Sequence, residues 1–255
     1  MNIIGIIPAR LSSSRLPNKP LADILGVPMI GHVYFRSKMS EILNEVYVAT
    51  CDKEIFDYIE GIGGQAIMTS ESHERASERT AEALVKIEKK IKIKIDIVVM
   101  IQGDEPMITP KMISASVSPL LKEQELNISN LMEYMETIEE HEDPAEVKVV
   151  VNKKQNAIYF SREPIPSRKK GMNDFPMLKQ VCIIPFRRDF LIEYNKMEQT
   201  PLEIIESVDM NRLIENEIPI RMVLIDEITF SVDTNSDLAK VNRLMKGDKL
   251  RQKYT

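Results

Sequence analysis

The feature that most constrains this chain is the character of its early apolar runs. Residues 3–7, 45–50 and 95–102 are short, rich in β-branched side chains and nearly continuous in hydrophobicity, without the strict polar alternation of a half-solvated strand. A strand with no polar face is covered on both sides, which is the condition of a parallel sheet held between helices. The intervals carry helical patterns. Residues 28–39 follow a Gly-Val-Pro entry, residues 53–60 end at Gly61, and residues 77–90 set Ala81, Leu84 and Val85 on one side with Glu82 one turn before Lys86 outside. Strand, helix, strand, helix, strand predicts a doubly wound α/β start.

The second half is less regular. Residues 127–133, 147–151, 157–160 and 180–185 read as strands, the last two separated by the Pro-rich stretch "REPIPSRKKGMNDFP" at 162–176. Helical patterns resume at 187–194, 205–216 and 236–245. No internal repeat, low-complexity linker or shift of composition marks a boundary, so the expectation is one domain over residues 1–255 with a small antiparallel appendage.

A composition of 43% hydrophobic and 29% charged residues suits a globular protein with a sizeable core. No apolar run approaches the roughly 20 residues of a membrane span, and nothing near the start reads as an export signal. The expected setting is the cytoplasm, with no membrane partner. Cys51 and Cys182 are too few for a disulfide framework or a cysteine-based zinc site and read as buried free thiols. A net charge of -5 argues against a protein that coats nucleic acid, so any anion must be captured locally.

The stretch "IIGIIPARLSSSRLPNKPL", residues 3–21, is where such capture is expected. Arg10, Arg15 and Lys19 follow one another at intervals of five and four residues with no acid between them. Each alone reads as a solvated surface charge. Together they lie in a loop at the carboxyl end of a first strand, where open α/β sheets bind ligands. The cations can neutralise phosphate oxygens while backbone amides and the hydroxyls of Ser12, Ser13 and Ser14 cradle them, so the segment reads as a polyphosphate site. The two familiar phosphate motifs are set aside, because there is no G-x-x-x-x-G-K-[ST] and no G-x-G-x-x-G after Ile7. Gly61-Ile62-Gly63-Gly64 follows a helix and reads as its C-cap and turn.

Two further segments carry carboxylates. In "VVMIQGDEPMI", residues 98–108, a buried strand ends in Gln102, Gly103, Asp104 and Glu105 beside the same crevice. These are either ordinary turn residues or hard oxygen ligands for Mg²⁺, with substrate phosphates completing the shell. In "ITFSVDTNSDL", residues 228–238, Asp233 follows a short expected strand and precedes a helix. It either favours the helix dipole while Thr234 or Ser236 caps, or meets Asp104 on one metal from the other side.

Read together, these residues resemble the 3-deoxy-D-manno-octulosonate (Kdo) cytidylyltransferases, also called CMP-Kdo synthetases. The likeness covers almost the whole chain, through "IIPARLSSSRLPNKPLADILGVPMIGHVY", "VYVATCD", "VVMIQGDEPMI", "NAIYFSREPIPSR", "FRRDFL", "PLEIIES" and "VDTNSDL", in family order. It implies a single nucleotidyltransferase domain with a Rossmann-like α/β core, a mostly parallel mixed sheet flanked by helices, usually assembled as a homodimer. The implied reaction joins CTP and Kdo to give CMP-Kdo and pyrophosphate. By the same resemblance Arg10, Arg15 and Lys19 hold the triphosphate, with Ala9 near the base. The family's base-recognition stretch ends in Gly-Thr-Asp-Arg and here reads Ala76-Ser77-Glu78-Arg79, so Ser77 and Arg79 carry over. Asp104 and Asp233 match the Mg²⁺ ligands. Gln102 matches a position shared by the nucleotide and sugar-acid sides, and Arg162 one that lines the sugar-acid pocket. Arg15, Lys19, Asp104 and Asp233 are the expected catalytic set.

The sugar side departs from the family. Where Lys-His-Ile-Gly-Ile-Tyr is common, this chain has Lys179-Gln180-Val181-Cys182-Ile183-Ile184. Glu-Ser-Leu-Glu-Gln-Leu-Arg becomes Glu206-Ser207-Val208-Asp209-Met210-Asn211-Arg212. Gln180, Glu206, Asp209 and Arg212 are expected at the sugar acid, with the chemistry altered at Gln180, Asp209 and Met210, since an amide cannot protonate and a thioether cannot donate to a hydroxyl. Such swaps can redirect specificity toward another acidic acceptor, a related sugar acid or a phosphonate. Two rival readings are a metal-dependent glycosyltransferase, which would usually show Asp-x-Asp, and a non-catalytic nucleotide-binding protein.

Overall fold

The computed structural model of the protein describes residues 1–12, 15–169 and 175–255. In chain order the strands are β1 (Ile3–Ala9), β2 (Asp23–Ile24), β3 (Val27–Pro28), β4 (Glu45–Thr50), β5 (Ala66–Met68), β6 (Ile97–Ile101), β7 (Ser129–Tyr134), β8 (Lys148–Val151), β9 (Ala157–Ser161), β10 (Leu178–Val181), β11 (Ile183–Arg187) and β12 (Arg221–Leu224). The helices are α1 (Met29–Lys38), α2 (Lys53–Gly61), α3 (Ala76–Ile91), α4 (Pro110–Lys122), α5 (Ile138–Glu142), α6 (Arg188–Tyr194), α7 (Pro201–Glu206), α8 (Asn211–Glu215) and α9 (Asn235–Leu244). They group into two compact units. The first comprises Met1–Ser114, Phe186–Asn195 and Thr229–Thr255, and the second Ala115–Pro185 and Lys196–Ile228.

The first unit holds a five-stranded sheet in the order β11-β6-β1-β4-β5, with β6, β1, β4 and β5 paired in parallel. Ile4 of the central strand faces Glu45 on one side and Val98 on the other, and the side chains of β1 are buried along almost its whole length. The continuous apolar runs of β1, β4 and β6 follow from this position, covered on both faces. The turn expected after α2 is present: Gly63 takes φ 74 and the Gly64 amide returns to the Ile59 carbonyl at 2.8 Å.

The second unit holds another five-stranded sheet, in the order β12-β7-β10-β8-β9. Its pairs are antiparallel apart from β12 with β7, which is parallel. The two ends of this sheet approach one another. The Ala157 amide reaches the Ile220 carbonyl at 3.0 Å and the Met222 amide the Gln155 carbonyl at 2.8 Å, so the sheet curls toward closure and its edges are partly paired. The antiparallel part of the chain is thus a full second sheet, larger than the appendage expected from sequence.

Several boundaries differ from expectation. Residues 180–185 form not one strand but the end of β10 and the start of β11, which belong to different sheets. Val181, Ile183 and Ile184 are all buried, so hydrophobicity gives no sign of the break at Cys182. Residues 205–216 form two helices, because Ser207 ends α7 in the left-handed region at φ 51 without the glycine that usually announces such a cap. The short strand expected immediately before Asp233 is not formed, since the described residues 225–232 carry no strand. Cys51 and Cys182 are half-buried free thiols.

Candidate active site

The loop after β1 is held at both ends. The Leu11 amide donates to Asp52 Oδ2 at 2.8 Å, and the Leu16 side chain enters an apolar cluster with Ile24, Met29, Val232, Val241 and Met245. Asn18 takes φ 56, Pro20 lies in the first turn of the short helix Lys19–Leu21, and the Lys19 amide returns to the Leu16 carbonyl at 3.1 Å. With Leu16 anchored, this turn directs Lys19 inward, leaving its side chain 14% exposed. Val232 belongs to the same cluster and is fully buried. Its amide donates to the Asp104 carbonyl at 2.9 Å, which fixes the next residue, Asp233, beside the loop that follows β6. Thr234 caps α9, accepting from the Asp237 amide, while Asp237 accepts the Asp233 amide at 3.1 Å.

The consequence is a compact charge cluster. Lys19 Nζ donates to Asp104 Oδ2 at 2.7 Å and to Asp233 Oδ1 at 2.9 Å, and the more exposed Arg15 guanidinium lies 3.1 Å from Asp233 Oδ1. Burial works against the charge on Lys19, but Asp104 and then Asp233 outweigh it and hold the ammonium above its ordinary pKa. The other oxygen of Asp104, Oδ1, is buried and accepts no hydrogen bond among the described residues.

A second wall comes from the start of α3. Arg79 is buried and donates through Nη1 to Thr69 Oγ1 and to the Ser70 carbonyl, while its Nη2 has no hydrogen-bond partner among the described residues. Glu78 accepts the amides of Glu74 and Arg75 at 3.0 and 3.1 Å. One turn on, Glu82 accepts the Ser70 amide at 2.9 Å and bonds the His73 ring. Burial would raise the Glu82 carboxyl, yet the bonds from Lys86, the Ser70 amide and His73 hold it at about 2. The loop before α3 is therefore fastened by the helix it leads into.

These two walls enclose a pocket of about 380 Å³, within the range of small-molecule sites. Ala9, Arg10, Ser12, Arg15, Lys19, Arg79, Gln102, Asp104 and Asp233 line it. The structure thus brings together nearly all the nucleotide-side residues that the sequence singles out. Ser77 is buried inside α3 and is not among the lining residues, and Ser13 and Ser14 lie outside the described residues. His73, Glu74 and Arg75 also line the pocket. Sequence reasoning passed over them, although they immediately precede the segment it chose. Arg75 carries the one available signal: a cation at a helix N-cap, where polar or acidic residues are favoured.

Apart from Gln102, which lines the pocket of the first unit, the sugar-side residues belong to the second unit. Glu206 accepts from Tyr159 Oη at 2.9 Å, Ser161 Oγ at 2.8 Å and the Arg162 amide at 2.8 Å. Against the effect of burial, these bonds keep its carboxyl below the usual range, while burial and then the Glu206 bond push the Tyr159 hydroxyl up to about 12. The Arg162 side chain donates to the carbonyls of Glu206 at 2.9 Å and Pro144 at 2.8 Å. Gln180 donates through Nε2 to Asn130 Oδ1 at 2.6 Å. Arg212 makes a buried two-point pair with Glu203, both bonds 2.6 Å, and its amide reaches the Asp209 carbonyl at 3.2 Å. Arg162 and Glu206 thus meet directly, whereas Arg212 is engaged elsewhere.

Among the described residues no group of three or more His, Cys, Asp or Glu could hold a metal ion. Mg²⁺ bound with a nucleotide needs no such cage, since one or two carboxylates suffice when phosphates and water supply the rest. Asp104 and Asp233 converge on one cationic atom, and Asp104 Oδ1 retains a buried, unused acceptor. The donor set fits a hard divalent cation.

A parallel α/β sheet with basic and acidic loops gathered beyond its strand ends defines a nucleotide-handling transferase of the nucleotidyltransferase class. A family profile described as "Cytidylyltransferase" matches residues 4–223. The 3-deoxy-manno-octulosonate cytidylyltransferase of Geobacter metallireducens is 38% identical over 251 residues, 94% of this chain and 96% of that protein. Its counterpart from Geobacter sulfurreducens is 39% identical, covering 96% of this chain and 100% of the relative. The structure of a CMP:2-keto-3-deoxy-manno-octonic acid synthetase complexed with CTP superposes with a TM-score of 0.87 at 38% identity, over 96% of this chain and 99% of that one. The chain belongs to the cytidylyltransferase family.

Proposed function

We propose that the protein transfers CMP from CTP to the anomeric hydroxyl of Kdo, releasing pyrophosphate. One observation carries the chemistry. Asp104 and Asp233, far apart in sequence, line one pocket with Arg10, Arg15 and Lys19, in a chain that matches a CTP-complexed synthetase along nearly its whole length. In the reaction the hydroxyl oxygen forms a bond to the α-phosphorus and loses its proton. The bond from that phosphorus to the bridging oxygen breaks, and the electron pair leaves with pyrophosphate.

Transfer of this kind asks for positioning and charge neutralisation more than for covalent chemistry. Arg10, Arg15 and Lys19 grip the triphosphate, and Lys19 and Arg15 stabilise the charge that builds on the departing group. Asp104 and Asp233 hold Mg²⁺, which when bound supplies Lewis-acid polarisation of phosphate oxygens. Arg79 and Ala9 face the base end, with Ser77 supporting the first turn of α3, and Gln102 is shared by the nucleotide and the sugar acid. In the second unit, Arg162, Gln180 and Asp209 are assigned to the sugar acid. Glu206 and Arg212 set the backbone there through the bonds they already make.

Dependence on CTP supports a cytoplasmic setting. Exposed Ile204 and Ile205 on α7, with Ile158 on β9, support assembly as a homodimer.

Pyrophosphate release from CTP and Mg²⁺ against a panel of acids tests the reading. Kdo is expected to be the best acceptor. Turnover with a different acid and none with Kdo would remove the acceptor, and no release with any acid would remove the activity.

A further inference from the structure

Lys19 stands where a cation must stand to join Asp104 and Asp233. Its ammonium donates to Asp104 Oδ2 at 2.7 Å and to Asp233 Oδ1 at 2.9 Å. Two carboxylates converging on one point repel each other unless positive charge lies between them. Here the chain supplies that charge itself. Arg15 does not share the position, since it touches Asp233 alone and its side chain is 56% exposed. Asp104 Oδ1, buried and without a donor among the described residues, is an oxygen that the ammonium leaves unused.

We infer that Lys19 is a resident counter-ion that occupies the cation position in the nucleotide-free protein and yields it when a polyphosphate draws the ammonium away. This rests on the assignment of Asp104 and Asp233 to a divalent cation made above. The two occupants exclude one another. Mg²⁺ holds its oxygens at roughly 2.0–2.1 Å, closer than the ammonium does, and two positive charges cannot share the same pair of acceptors. A lysine suits the exchange, because its compact charge sits on a flexible stem and is not committed to a planar two-point geometry. The carboxylates therefore stay converged in the free protein, while a divalent cation alone binds weakly there. Nucleotide and cation consequently bind with positive coupling, each raising the other's affinity by the same factor.

Titration of the nucleotide-free protein with Mn²⁺, read by electron paramagnetic resonance or calorimetry, tests this without any turnover. Lys19→Met is expected to tighten Mn²⁺ binding at least about tenfold, and Arg15→Met, which removes an equal charge, less than about threefold. Adding Asp233→Asn to Lys19→Met should abolish the gain. Lys19→Gln is run in parallel in case methionine disturbs the fold. In the unmodified protein a non-hydrolysable CTP analogue should tighten Mn²⁺ binding, after allowance for cation held by free analogue, and this coupling should shrink in the Lys19 variants. Equal Mn²⁺ affinity in the Lys19 variants and the unmodified protein, or an equal gain from Arg15→Met, would overturn the counter-ion role and leave the cation assignment standing. Absence of Mn²⁺ binding in every form, even with the analogue, would overturn both.

Discussion

The amide of Val232 donates to the carbonyl of Asp104 at 2.9 Å. That one backbone bond joins the end of the central sheet to the start of α9 and sets Asp233 beside Asp104, with Lys19 between them. The chemistry assigned to the pocket depends on this closure.

Lys19→Ala and Asp104→Asn should each lower kcat/KM by at least about tenfold to a hundredfold, the scale of a lost electrostatic contact in the transition state. Both variants should remain folded, because neither side chain belongs to the apolar core. Steady-state kinetics beside circular dichroism checks the pair of statements, and loss of structure together with activity would assign these residues to the fold instead.

Arg79, assigned above to the base end of the pocket, is expected to contact bound nucleotide equally in ground and transition states. Arg79→Lys should therefore raise KM for CTP by about tenfold and leave kcat nearly unchanged, the pattern of lost uniform binding. A fall in kcat at constant KM would move Arg79 from binding to chemistry.

Glu203 is fully buried and its partner Arg212 nearly so. Removing one member strands the other, so Arg212→Ala should destabilise the fold by about 3–5 kcal/mol, measured by urea denaturation. If instead stability holds and only KM for the sugar acid rises, Arg212 touches substrate as the sequence suggested.

Glu82 binds the loop that carries His73, and its carboxyl sits at about 2 in the folded protein against 4.5 ordinarily. A carboxyl lowered on folding contributes stability that is fully present above its unfolded value and is lost as pH falls toward the folded one. Between about pH 4.5 and 2 the unmodified protein should thus lose more of its thermal stability than Glu82→Gln does. Parallel melting curves for the two would contradict the assignment.

Much of this was legible in the sequence because burial on both faces leaves a plain signature. β4 is read to the residue at 45–50, and α1, α2 and α3 to within a residue or so at either end. The second unit is harder. Its strands are short, and the apolar run through Cys182 hides a change of sheet that no periodicity reports. α4 contains Pro119, a residue that argues against a helix, yet it lies near the C-terminal end where the helix stops three residues later. In the pocket, Arg15, Lys19 and Asp104 declare themselves by charge at strand ends. Asp233 is legible only as one of two alternatives, helix-dipole residue or metal ligand, because the backbone bond and apolar cluster that place it are long-range. His73 stays hidden because a lone imidazole has no pattern of its own, and Arg75 because its signal, a cation at a helix N-cap, is readable only once the helix is known to start at Ala76.

The central claim is most directly tested by nuclear magnetic resonance of the product formed from CTP, Mg²⁺ and carbon-13-labelled Kdo. The account predicts a phosphodiester with carbon–phosphorus coupling at the anomeric carbon and one pyrophosphate for each CTP consumed. Unchanged Kdo alongside intact CTP, or a phosphate placed on any other carbon, would contradict it.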